Sequence, residues 1–340
     1  MPTRPLSLAL VGATGLVGRA VLDALAEADL DLSRLKLLAS PRSKGTRLEW
    51  NEEELPVHAL EEGAFQGVDV AIFCVPAEVA RAWAPKAWSA GCAVVDGSPA
   101  FRAEPDVPLV VPEVNLDAVD GFRARGVVAS PSPAVTALAV ALAPLQRAAG
   151  LERVVVATYQ AASGAGHRAV EQLEREATDL MNGREPEAGT VVPHRLAFNL
   201  VPQVGSFRPD GRTDEEASLV DETRRVLGAP GLGVAATAVR VPVFFGLGAA
   251  VNVATARPLP AAEAREVLRK APGVKVIDDP AAQVYPMPML AVNDDAVLVG
   301  RVRDDPSQRH GLDLFLVSDD LRRGAATNLV RIAAAVAARR

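Results

Sequence analysis

The sequence is short of the residues on which most side-chain chemistry depends. It holds two cysteines and four histidines in 340 residues. Cys74 and Cys92 sit in separate apolar, strand-like runs. Their spacing forms neither a metal-ligand pattern nor a disulfide framework, and they read as buried cytosolic thiols. No apolar run approaches the roughly 18 residues that a membrane-spanning helix needs. Residues 1–5 lead straight into a strand, which leaves no room for a secretory apolar segment. Positive charge is in deficit, with 36 Lys and Arg against 42 Asp and Glu, a net charge of −6. That balance argues against a nucleic-acid surface. Aromatic residues are only 4% of the chain, so Ala, Val and Leu must do the packing. Repeats, low-complexity tracts and flexible linkers are absent as well. The expectation is a soluble cytoplasmic protein with no membrane or nucleic-acid partner.

What is present is enough for a sizeable interior: 49% of the residues are hydrophobic and 23% charged. The length predicts two domains, or one large one. Ser7–Val11 reads as a short buried strand, followed by a Gly-rich turn and a helix with apolar residues at Val17, Val21, Ala24 and Leu25. Apolar runs at Leu35–Ala39, Val68–Val75, Ala93–Val95, Leu109–Val111 and Val127–Ala129 continue the pattern, with a helical stretch at Val79–Ala90. Continuous apolar strands alternating with helices point to a parallel, doubly wound sheet. Beyond about residue 135 the texture changes. Helical stretches near 136–148 and 166–182 flank an apolar strand, Val154–Ala157, and longer β-like runs follow at 234–245, 249–257 and 296–303. These suit an α+β domain with an open mixed sheet. Thr213, with Glu216 three residues on, predicts a capped helix start. The last segment, Leu321–Arg340, is amphipathic and is expected to return to the first domain.

Two places carry chemistry. In the first, Gly12, Gly15 and Gly18 follow a strand and open a helix. Glycines there let a pyrophosphate approach the backbone, and the helix N-terminus supplies N–H donors and positive dipole. Gly12, Thr14, Gly15, Leu16 and Val17 are the expected contacts. A bare strand–helix turn is the bland alternative. The end of the second strand holds Ser40, Arg42, Ser43 and Lys44, with no acid in the place that usually holds a ribose 2′-hydroxyl. Cation and hydroxyls suit a 2′-phosphate, which favours NADP over NAD. A solvated basic loop is the competing reading. The second place is the turn Ser130-Pro131-Ser132-Pro133-Ala134-Val135-Thr136, between an apolar strand and an Ala/Leu-rich helix.

These segments resemble the aspartate-semialdehyde dehydrogenase family from Val11 to about Asn328. Leu38–Gly45 is similar to its 2′-phosphate loop, and Asp96–Arg102 to its Asp-Asn-Ser-Ser-Ala-Phe-Arg segment. Pro112–Asn115, Thr158–Gly166, Arg240–Val243 and Ala325–Asn328 also match. The resemblance implies a Rossmann-like NADP-binding domain over 1–132, completed by a C-terminal helix over 318–340. It further implies a substrate and dimerisation domain over 133–317, with a large mixed sheet and a homodimer. It gives Gln160 an active-site role, Arg102, Glu215 and Arg240 the binding of a small anionic metabolite, and Asn328 a contact with the nicotinamide end. Taken singly, either arginine fits a surface ion pair equally well, and Gln160 fits a satisfied buried amide.

The family's nucleophilic thiol stands in an Asn-Pro-Asn-Cys-Ser-Thr turn, and aligned on Pro131 that position is Pro133. Its acid/base histidine, in a Gly-His-Ser segment, falls on Leu247. Its phosphate-binding lysine falls on Ser218. His58, His167, His194 and His310 lie elsewhere. The similarity is nearest to the Usg-type homologues that lack the cysteine. The expected function is NADP binding with the covalent route to aspartyl phosphate impaired. The alternative is an active NADP-dependent oxidoreductase acting on the oxo group of a small anionic substrate.

Overall fold

The computed structural model describes residues 5–187 and 189–340. The chain divides into two compact units, Met1–Ser132 with Ala325–Arg340, and Pro133–Gly324.

The first unit begins with β1 (Leu6–Val11), α1 (Leu16–Glu27) and β2 (Leu32–Ala39). A hairpin follows, β3 (Arg47–Trp50) and β4 (Glu53–Ala59), whose turn residues Asn51 and Glu52 both have positive φ, 50° and 65°. That is the twist a two-residue hairpin turn requires. Then come β5 (Val70–Phe73), α2 (Ala77–Ser89), β6 (Ala93–Asp96), the short α3 (Pro112–Asn115) and β7 (Val127–Ala129). The sheet order is β3-β4-β2-β1-β5-β6-β7, parallel throughout except where β3 pairs with β4. β1 is central, and all six of its residues are buried. Strands covered on both faces read as unbroken apolar runs, which is why alternation is missing from this part of the sequence. The run at Leu109–Val111 forms no strand. It touches β7 through a single bridge between Leu109 and Ala129.

The second unit starts at α4 (Pro133–Ala149), three residues earlier than helical periodicity predicts. It continues through β8 (Leu151–Gln160), α5 (His167–Met181), α6 (Asp214–Val226), β9 (Gly233–Arg240), β10 (Leu247–Thr255), α7 (Ala261–Arg269), β11 (Val274–Val276), α8 (Pro288–Ala291), β12 (Val297–Asp305) and β13 (Gly311–Ser318). The expected long strand 234–245 is cut at Arg240, and a turn reaches Gly246, whose φ is +97°. The sheet order is β11-β12-β13-β10-β8-β9, with mixed directions. α4, α6 and α7 pack on one face. On the other face Tyr159 stacks on Phe315, with ring centroids 6.3 Å apart.

The capping box expected at Thr213 is present. Its hydroxyl accepts from Glu216 N (3.3 Å), and the Glu216 carboxylate accepts from Thr213 N (2.7 Å). A π-helical turn (Arg322–Ala326) leads to α9 (Thr327–Ala337), so the terminal α-helix starts later than 318. Leu329, Val330, Ile332, Ala333 and Val336 of α9 join the apolar core of the first unit with β1, β5 and α1.

Candidate functional site

In the first unit, Gly12 N and Ala13 N donate to Leu38 O, which ties the turn after β1 to the end of β2. A Cβ at Gly12 would lie 2.1 Å from Cys74 O, and one at Gly18 would lie 2.2 Å from Gly12 O. Both positions must therefore be glycine for helix and strand to pack this closely. Gly15 differs. A Cβ there would meet only Gly12 O at 3.5 Å, and Gly15 N-caps α1 with no side chain accepting from the helix. The first N–H groups of a twelve-residue helix are thus left for an anion.

Thr14 Oγ1 lies 3.5 Å from Ser43 Oγ, which brings the glycine turn beside the loop after β2. Ser40, Arg42 and Lys44 are exposed there and Ser43 is half-buried. Arg102 donates through Nε to Ser130 O (2.9 Å) and through Nη2 to Gly97 O (2.8 Å), so two of its five donors brace backbone. Asn328 is fully buried and donates to Val110 O (3.1 Å) and Ser130 Oγ (2.8 Å). Its Oδ1 is buried with no hydrogen-bond partner. A buried acceptor without a donor is uncommon and marks a place where a donor fits. Burial pushes the Asp96 carboxyl up to about 6, against the bonds it accepts from Ser98.

Both cysteines favour the neutral thiol. Burial pushes Cys92 up to about 12, and burial aided by Asp96 raises Cys74 as well. Cys74 is only half-buried by exposure, less covered than its apolar run predicts.

In the second unit, strand register sets a row of candidate residues side by side. Leu247 on β10 pairs with Gln160 on β8, and Gln160 pairs with Arg240 on β9. The three side chains lie side by side on the helix-covered face, since paired residues point to the same side of a sheet. Gln160 Nε2 donates to Glu215 Oε1 (3.1 Å), in the first turn of α6, and to Thr158 Oγ1 (3.3 Å). Arg240 is not at the surface. It is buried and its Nη1 donates to Ala161 O (2.6 Å). Burial lowers its pKa, and the charges of Glu215 and Asp320 hold it up.

Pro133, Leu247, Gln160, Glu215, Asp320 and Val204 line one cavity of about 90 Å3. None of the four histidines lines it. Pro133 is the first residue of α4, a position where a locked φ and a missing N–H cost nothing. Asp320, which sequence reasoning passed over, lines the cavity as a buried carboxylate. Its Oδ2 accepts from Ser163 Oγ (2.7 Å) and its Oδ1 from Gly246 N (2.8 Å), and burial raises its pKa. The only signal for it in the sequence is the acidic pair Asp319-Asp320 at the end of the last strand.

Known proteins share this fold. Residues 7–122 match the semialdehyde dehydrogenase NAD binding domain, and residues 142–323 match the semialdehyde dehydrogenase dimerisation domain. The aspartate-semialdehyde dehydrogenase of Aquifex aeolicus (strain VF5) is 44% identical over 96% of each chain. The chain belongs to the aspartate-semialdehyde dehydrogenase family. The enzyme of that name from Synechocystis sp. is 43% identical over 98% of this chain and 97% of its own. Among solved structures, aspartate semialdehyde dehydrogenase II from Vibrio cholerae complexed with ASA superposes with a TM-score of 0.95, at 38% identity and covering 98% of both chains. An NAD(P)-binding domain is therefore present in this family member. The uncapped α1 N-terminus, the open space at Gly15 and the orphan Asn328 Oδ1 fit a dinucleotide. Among the described residues no helix is long and apolar enough to cross a membrane, and no group of His, Cys, Asp and Glu is placed to hold a metal.

Proposed function

We propose that this chain binds NADP and a small anionic metabolite but does not carry out the covalent, phosphate-dependent oxidation of aspartate semialdehyde. The observation behind this reading is that Pro133 and Leu247 line the same cavity. The resemblance gives those two positions to the nucleophile and its base. Proline offers no attacking group and leucine no proton acceptor, so acyl transfer through a thioester has neither participant. Neither native cysteine can replace them, because burial suppresses both thiolates. In this reading the chain is of the Usg type, is cytoplasmic, and forms a homodimer through the domain spanning 142–323.

The nucleotide is held by Gly12, Thr14, Gly15, Leu16 and Val17 at the pyrophosphate and by Ser40, Arg42 and Ser43 at the 2′-phosphate. Asn328 accepts from the nicotinamide amide. Bound there, the cofactor would supply hydride-acceptor chemistry. Arg102, Glu215 and Arg240 are assigned to the metabolite, with Gln160 positioning it.

Titration calorimetry with NADP and NAD, followed by an aspartate-semialdehyde assay with phosphate, tests the reading. NADP binding without turnover is the expected result. Phosphate-dependent turnover would overturn it. Oxidation of NADPH by other aldehydes or keto acids would favour the non-covalent oxidoreductase.

A further inference from the structure

Asp96 ends β6 fully buried, on a strand paired with β5 and β7. Its carboxyl accepts from Ser98, whose Oγ donates at 2.8 Å and whose N donates at 3.2 Å. Two neutral donors offset little of the cost of burying a charge, and burial pushes its pKa up to about 6. The groups around it come from several elements. Cys74, just past β5, stays a neutral thiol. β7 faces it with Ala129, and α9 approaches Gly97 with Leu329, neither of them charged. Arg102, on the loop after β6, and Arg81, on α2, hold the carboxyl down, Arg102 more strongly. Arg102 is half-buried, and the backbone around Asp96 fixes it. Its Nη2 donates to the carbonyl of Gly97, the next residue in the chain (2.8 Å). Its Nε donates to the carbonyl of Ser130 (2.9 Å), whose own N donates to Asp96 O (2.8 Å). Cation and buried carboxyl are thus held in one frame.

We propose that anion binding at Arg102 is coupled to protonation of Asp96, the proton coming from solvent and settling on a carboxyl oxygen. The proposal rests on the reading above that Arg102 holds the anionic metabolite, and it adds how that binding is regulated. A bound negative charge cancels the attraction by which Arg102 keeps Asp96 ionised. It also repels the carboxylate across a poorly solvated gap. Two such charges a few ångströms apart shift a titration by about one pH unit or more. Arg102 itself stays charged throughout. The protonated carboxyl keeps acceptor capacity for Ser98 N, so the turn need not break. By linkage the proton strengthens the anion by the same factor that the anion strengthens the proton. The sign follows from that reciprocity. Affinity is lowest well above the raised pKa, climbs as pH falls between the bound and free values, and levels off below about 6.

The test is titration calorimetry of the full chain with sulfate, an anion that does not itself titrate near neutral pH. Runs at about pH 6.5 in two buffers of different ionisation enthalpy count the protons taken up. The expected result is about half a proton per sulfate, with affinity at least about 5-fold higher at pH 5.5 than at pH 8. Asp96→Asn should bind sulfate with neither the uptake nor the pH dependence. Sulfate binding by the native chain without uptake overturns the proposal and leaves Arg102 as an anion site. Uptake that persists in Asp96→Asn belongs to another group, such as a histidine, and has the same consequence. Sulfate affinity unchanged in Arg102→Gln removes the anion site itself, and this proposal with it. If Asp96→Asn loses its native circular dichroism, the native proton count decides together with Arg102→Gln, in which binding and uptake must fall together.

Discussion

Leu247 stands directly opposite Gln160 across the β10–β8 ladder, and Gln160 directly opposite Arg240 across β8–β9. Cross-strand neighbours keep their Cβ atoms about 5 Å apart, so whatever occupies position 247 meets the amide that bonds Glu215. The leucine side chain brings no proton acceptor to that row.

Pro133→Cys places a thiol at the first helical residue of α4, where the helix N-terminus favours the thiolate. Iodoacetamide followed by mass spectrometry is expected to label it well before Cys74 and Cys92. The single variant should give no phosphate-dependent turnover, and turnover should first appear when Leu247→His is added. Equal rates for the single and double variants would show that position 247 is not the seat of the base.

Arg42→Ala is expected to weaken NADP roughly 10-fold or more, the worth of a charge-assisted phosphate bond, and to leave NAD unchanged. Calorimetry with both nucleotides reads this directly. A parallel loss of both would mean that the loop after β2 supports the fold rather than the 2′-phosphate.

Asp96 carries a pH signature. Its carboxyl is pushed from 3.8 to about 6 by burial, so folding favours the protonated form. The resulting penalty is absent below pH 3.8, grows as pH rises to about 6, and is complete above that. Asp96→Asn should therefore raise Tm at pH 8 and lose that advantage by pH 4. The two-unit gap sets a ceiling of about 3 kcal/mol, and weakened bonds from Ser98 reduce it to on the order of 1 kcal/mol. A Tm difference independent of pH would contradict the assignment.

Thr213→Ala removes one half of the capping box of α6. The expected cost is about 1 kcal/mol, read as a lower urea midpoint at unchanged slope. Because Glu215 lies in that first turn, its bond from Gln160 should loosen as well, and binding in the cavity should weaken with stability.

Much of the fold was legible because strands buried on both faces announce themselves as apolar runs. β1 and β5 did so. The β3–β4 hairpin escaped because Arg47–Trp50 is a polar edge strand and Glu53–Ala59 opens on two exposed glutamates. α4 was read as starting late, since the turn prolines masked a helix that begins on one. In the cavity, Gln160, Glu215 and Leu247 came from resemblance, whereas Asp320 stayed hidden. Its place at the cavity arises from bonds with Ser163 and Gly246, which are distant in the chain and leave no local sequence signal.

Pro133 also separates shape from reactivity. The opening residue of a helix must supply a backbone angle and nothing more, and proline supplies that angle better than cysteine does. A site built on such a position can surrender its reactive group without any folding penalty to oppose the loss. The fold at such a position is indifferent to whether the residue that opens the helix can react.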